Sequence, residues 1–270
     1  MVRRILFVLL AVPGALIAQI PPGVQAERAD YAQWLQTSPS SPYAAVFFGA
    51  LSGELVFGPG AQAALRRAPA ATLSQGARGL GLVTESGPRP VPRNREVTLG
   101  DWRLRVSPVP SGDMVTVYAP MTEEVDHPGW FPYRADLVVV GELKRPSRAD
   151  ERAILGLDGV EIRASLAGTF TARVLSEDVS LTAYRIPVPG SEEEEVTVFY
   201  RDGTSGAETY PPGRFAVLLP LGGGRYRLDL NRSRNPFCAY NPRFPCPLPW
   251  PGNTLQVRVE AGELYKTAND

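Results

Sequence analysis

The sequence predicts an all-β protein, with antiparallel sandwich- or barrel-like sheets in two halves behind one short N-terminal helix. Three observations support that class. Short runs rich in β-branched and aromatic residues recur between glycine, proline or acidic turns. The 270 residues include 27 prolines and 26 glycines, which leaves little room for long helices. No strand–helix–strand rhythm of the kind a parallel sheet needs is present. Hydrophobic residues at 44% and charged residues at 21% describe an ordinary globular chain. A formal net charge of zero gives no reason to expect a nucleic-acid partner.

The elements follow in order. Arg3-Arg4, the apolar run 5–12, the break at Pro13-Gly14 and the small residues up to Ala18 read as an export signal over residues 1–18. The run is too short for a stable membrane span, so a periplasmic or secreted mature protein is expected. Residues 24–36 carry a helical pattern with Tyr31, Trp34 and Leu35 on one face. Thr37-Ser38-Pro39-Ser40-Ser41-Pro42 ends it. Residues 19–125 then form the helix and a first β half, with residues 61–67 and the proline-rich stretch 88–92 as loops. The second half, 126–270, begins near Asp126–Gly129. Within it, Asp158-Gly159 marks a hairpin. Residues 225–230 and 254–260 alternate apolar and polar side chains, the pattern of half-buried antiparallel strands.

Composition excludes several chemistries. With one histidine, a three-histidine zinc site is impossible, and a catalytic triad would have to use His127, which lies in the turn-like Asp126-His127-Pro128-Gly129. Its simplest reading is a solvent-facing loop residue. Lysine occurs only at Lys144 and Lys266, neither in a recognisable pocket motif for Schiff-base chemistry. No cofactor and no metal are implied. Cys238 and Cys246 lie eight positions apart, and after export such a pair is most simply a disulfide. A zinc site completed by His127 and a carboxylate is the alternative.

Polar residues concentrate between Phe199 and Glu263. The segment 199–215 places Asp202, Thr204, Glu208, Tyr210 and Arg214 around glycines. Asp229-Leu230-Asn231 follows, then Asn235-Pro236-Phe237-Cys238-Ala239-Tyr240, Cys246-Pro247-Leu248-Pro249, Asn253 and Ala261-Gly262-Glu263. This set resembles the signature of domain-of-unknown-function family 1684, a bacterial family of uncharacterised proteins. The chain departs from that signature at Leu230, Ser233-Arg234 and Trp250. The resemblance implies a shared fold and a polar cluster, and no activity.

Three functions fit these residues. In the first, the cluster is structural: Asp202 and Asn231 hold backbone amides, Arg214 pairs with Glu208 or Asp229, and Asn235, Asn241 and Asn253 brace a disulfide-closed loop. In the second, Arg225 and Arg227, with Arg232, Arg234 and Arg243 nearby, bind an anionic small molecule or an acidic envelope glycopolymer. Tyr240, Phe244 and Trp250 would then supply stacking surfaces. The third is a carbohydrate-type hydrolase using Glu208 and Asp229 as a carboxylate pair. A structural or ligand-binding module is the expected function, with the hydrolase as the alternative.

Overall fold

The structure, a computed structural model, describes residues 19–77, 79–188 and 193–265. The expected export signal and Lys266 lie outside these residues. The protein is mostly β, with antiparallel sheets and one helix of note, as expected.

Helix α1 spans Pro22–Thr37, with proline at its first turn, where no helical N–H is needed. It buries Val24, Tyr31 and Leu35 along one stripe and ends where the N–H of Ser38 bonds the carbonyl of Trp34 ahead of Pro39. The first half then forms β1 (Ala45–Ala50), β2 (Glu54–Phe57), β3 (Ala71–Gly76), β4 (Gly79–Thr84), β5 (Gly87–Pro90), β6 (Glu96–Leu99), β7 (Trp102–Val109) and β8 (Gly112–Tyr118). They make two four-stranded sheets, in the orders β1-β8-β7-β6 and β2-β3-β4-β5. Leu73 and Leu82 of one sheet and Leu104, Val106 and Val115 of the other belong to a single core, a small sandwich. The stretch 88–92 is therefore not all loop. Gly87–Pro90 is an edge strand, the place where a proline's missing N–H costs least.

The second half comprises β9 (Val138–Lys144), β10 (Glu151–Leu155), β11 (Glu161–Val174), β12 (Glu177–Pro187), β13 (Glu194–Tyr200), β14 (Arg214–Gly222) and β15 (Arg225–Asp229). The sheet order is β10-β11-β12-β13-β14-β15-β9, and β9 also pairs with β11. Six strands thus close into a barrel filled by Phe170, Leu181, Val198, Leu218 and Leu228, with β10 as a flap. Closure depends on β11 changing partner. Its residues 161–165 pair with β10, and 169–171 pair with β9. Between them Gly168 (φ 146°) sits at a bulge, and a Cβ there would lie 2.3 Å from the carbonyl oxygen of Lys144. Gly141 makes the reciprocal approach on β9, where a Cβ would lie 2.2 Å from the carbonyl oxygen of Thr171.

One expected strand is absent. Residues 254–260 alternate as read, with Leu255 and Val259 buried and Thr254, Gln256 and Arg258 exposed, but they form no ladder. Carboxylates take the amides instead. Glu177 accepts from the N–H groups of Gln256 and Val257, and Asp202 accepts from that of Val259. The alternation marks burial of one face without strand pairing.

Candidate ligand-binding site

The polar cluster is assembled, but most of it is sealed inside the protein. Arg214 and Asp202 are fully buried and joined at 2.8 Å. Arg214 also donates to the backbone carbonyls of Val259, Ala261 and Glu263. Asp202 accepts from the backbone N–H and hydroxyl of Thr204 in addition to the Val259 amide. Together they tie the C-terminal segment to the barrel. The partner of Arg214 is thus Asp202, and not the expected Glu208 or Asp229. Glu208, half-buried at the surface, binds Arg258.

The asparagines act as backbone mimics. Asn253 accepts from the backbone N–H of Thr182 on β12 and donates to the carbonyls of Thr182 and of Phe199 on β13. Asn231 does the same for Arg134, and Asn235 donates to the carbonyl of Leu264. Asn241 donates to the carbonyls of Pro42 and Ala45. Each places one side chain where a strand partner would otherwise satisfy the chain.

The hydrolase pair gains no support from this geometry. Asp229 accepts from the N–H and side-chain amide of Asn231 and from Arg232. Glu208 and Asp229 are engaged by different arginines and share no hydrogen-bond partner. Nor do the five arginines converge. Arg225 is exposed on β15, and Arg227 lies half-buried two residues on, opposite Val140. Arg243 folds onto Asn241. Arg232, which ends the 3-10 turn Leu230–Arg232, and Arg234, two residues on, line a cleft.

Cys238 and Cys246 are free thiols in the structure, 2.6 Å apart, so the expected disulfide is not present there. The Tyr210 hydroxyl touches both sulfurs, at 3.3 and 3.2 Å. Burial pushes the Cys238 thiol up to about 12. Among the described residues no third metal ligand joins the pair. His127 is exposed and bonded to Gln36 instead.

The cleft that takes Arg232 and Arg234 has a volume of about 370 Å³ and lies between α1 and the barrel's loops. Its walls include Arg28, Tyr31, Trp34, Trp130, Arg234 and Phe237. The Arg28 guanidinium sits 4.7 Å from the centre of the Trp130 ring, and that of Arg234 sits 4.9 Å from Tyr31. Tyr31 stacks on Trp34, which leans on Phe237. Arg28 donates to the carbonyls of Phe131 and Asn231, and desolvation lowers its pKa from the usual arginine value. Among the described residues neither Arg28 nor Arg234 has a carboxylate within ion-pair distance. Two acids also line the cleft. Glu27 is bound to Arg232, whereas Asp30 makes no ion pair among the described residues.

Under the cleft lies Glu263, 1% exposed. Its carboxylate accepts from the hydroxyl of Tyr240 and, at 2.8 Å, from the N–H of Asn235. Tyr240 in turn stands 3.0 Å from the hydroxyl of Tyr31. Burial pushes the Glu263 carboxyl up to about 7, against the opposing pull of these hydrogen bonds and of Arg234 and Arg214. Tyr240 was expected at a site from sequence; Glu263, Arg28, Tyr31 and Trp130 were not. The available signals were the acid closing the polar stretch at Ala261-Gly262-Glu263 and a tryptophan beside the turn at residues 126–129.

A second cleft, of about 440 Å³, runs along β7 and the β10–β11 hairpin. Its buried cation, Arg105, is already neutralised by Asp158 at 2.8 Å, and no aromatic ring lines it.

Fold and site together define an antiparallel β protein, with a six-stranded barrel whose C-terminal tail is pinned by a buried ion pair beside a helix-covered cleft. The chain belongs to the family described as protein of unknown function (DUF1684), matched over residues 126–264. That match takes in the barrel and the polar cluster, while α1 lies before it. A solution NMR structure of the uncharacterized protein from gene locus rrnAC0354 of Haloarcula marismortui is similar at 29% identity. The similarity covers 58% of this chain and 82% of that one, with a TM-score of 0.45. No curated protein matches the chain.

Proposed function

We propose that this is an exported binding module that holds a small, ring-bearing anion in the cleft between α1 and the barrel. The carrying observation is the Arg234 guanidinium, exposed at the cleft over the Tyr31 ring and, among the described residues, with no carboxylate within ion-pair distance. A carboxylate or phosphate can take a charged fork to which no acid is directly bonded. Trp34, Trp130 and Phe237 offer faces for the ring. A volume of about 370 Å³ suits one ring with its substituents, and so favours a small molecule over an acidic envelope glycopolymer. Export rests on the sequence of residues 1–18.

Calorimetric titration with benzoate and phenyl phosphate, against benzyl alcohol as the uncharged control, tests the reading. Binding of the two anions is expected, with Arg234→Ala weakening it at least tenfold, the cost of a hydrogen bond to a charged group. Equal affinity for anion and alcohol, unchanged in Arg234→Ala, would sink the proposal.

In the mature protein we assign Cys238 and Cys246 to a disulfide, supported by their proximity and by the oxidising compartment that export implies. Closing so short a loop stabilises by about 2.5 kcal/mol in the chain-entropy model. Intact mass with and without reductant should differ by two hydrogens. Quantitative alkylation of both thiols in unreduced protein purified from the periplasm or medium would exclude the bond.

A further inference from the structure

Glu263 is a buried carboxyl with a defined route to the cleft. Tyr240 donates its hydroxyl hydrogen to the ionised carboxylate, so the hydrogen between Tyr240 and Tyr31 must come from Tyr31. The line therefore runs from Tyr31 through Tyr240 to Glu263. When Glu263 is protonated the line can reverse, with the acid donating to Tyr240 and Tyr240 to Tyr31. The Tyr31 ring is the surface on which Arg234 rests.

The charged and titratable groups around Glu263 come from several elements. They are Tyr31 of α1, Tyr43 of the 3-10 turn Pro42–Ala44, Arg214 of β14, and Arg234 and Tyr240 of the loops after β15. Arg214 is already matched by Asp202. Arg234 is thus the cation whose charge ionised Glu263 offsets, and the same cation the anion site uses. A ligand anion and an ionised Glu263 compete for it.

We propose that Glu263 makes the cleft a proton-linked anion site: an anion seated on Arg234 binds with net proton uptake from solvent by Glu263 and reversal of the tyrosine line. The inference rests on the binding reading above and adds what regulates it. Linkage requires affinity to fall as pH rises through the titration of Glu263. For one unit charge near the site, at the effective dielectric of partly buried groups, the change amounts to about tenfold.

Benzoate is the probe, because its own carboxyl stays ionised across the range. Its affinity is measured from pH 5.5 to 8.5 by calorimetry, in two buffers of different ionisation enthalpy, for the wild type and Glu263→Gln. The wild type should lose about fivefold in affinity between pH 6 and pH 8, part of that change, with net proton uptake near neutrality. Glu263→Gln should bind equally across the range, at the wild type's low-pH affinity, because the amide can donate to Tyr240 as the protonated acid does. Benzoate binding with no pH dependence and no proton uptake overturns this inference and leaves the binding reading standing. No benzoate binding at any pH removes both. If Glu263→Gln fails to fold, the buffer-dependent proton count of the wild type decides alone.

Discussion

Arg214→Met is expected to cost about 3–5 kcal/mol of stability, the largest loss of any single substitution outside the apolar cores. The methionine can fill the volume but leaves the Asp202 carboxylate without its counter-ion at a site with no exposure to water. It also strips the carbonyls of Val259, Ala261 and Glu263 of their common donor. A domain's total stability is about 5–15 kcal/mol, so the loss is a large fraction of it. Urea denaturation should show a midpoint far below wild type, and hydrogen exchange should show lost protection at Val259, whose amide bonds Asp202. Adding Asp202→Asn should recover part of the loss, because the stranded charge is then gone. A single variant within 1 kcal/mol of wild type would mean the pair does not pin the tail.

Glu263→Gln is expected to remove a pH dependence of stability near neutrality. The folded-state pKa of Glu263 is raised from 4.5 to about 7. Between those values the native state holds a proton that the unfolded chain has lost, so stability falls as pH rises. The contribution is complete below about pH 4.5 and gone above about pH 7. At 1.36 kcal/mol for each pH unit of the window it amounts to about 3 kcal/mol. Chemical denaturation from pH 5 to 8 should show the wild type losing stability that Glu263→Gln keeps, so the variant is the more stable protein at pH 8. Parallel pH profiles would show that Glu263 does not titrate in that window.

The C-terminal strands were legible because their polar and apolar side chains alternate, and β15 carries such a pattern up to Asp229. The same pattern misled at residues 254–260, where Glu177 and Asp202 take amides that a strand would give to its neighbour. In the first half, β3 to β5 were obscured by Ala71, Gly76, Gly79, Gly81 and two prolines, residues that are weak strand formers. Asp202, Thr204, Arg214, Asn231, Asn235 and Asn253 were found as a group by their density. Their task is to satisfy backbone groups, which residue type alone does not separate from ligand binding. The cleft was not legible at all. Arg28 reaches the carbonyl of Asn231 across 203 positions of sequence, and no local spacing encodes a contact between a helix and a loop that far apart.

The central claim, that the cleft beneath α1 binds a ring-bearing anion, is tested most directly by nuclear magnetic resonance of the uniformly 15N-labelled protein during titration with benzoate. The indole N–H signals of Trp34 and Trp130 and the guanidinium Nε–H signals of Arg28 and Arg234 should move together and saturate with one affinity. Shifts confined to the second cleft, at Arg105 and its neighbours, or no saturable shift at all, would contradict it.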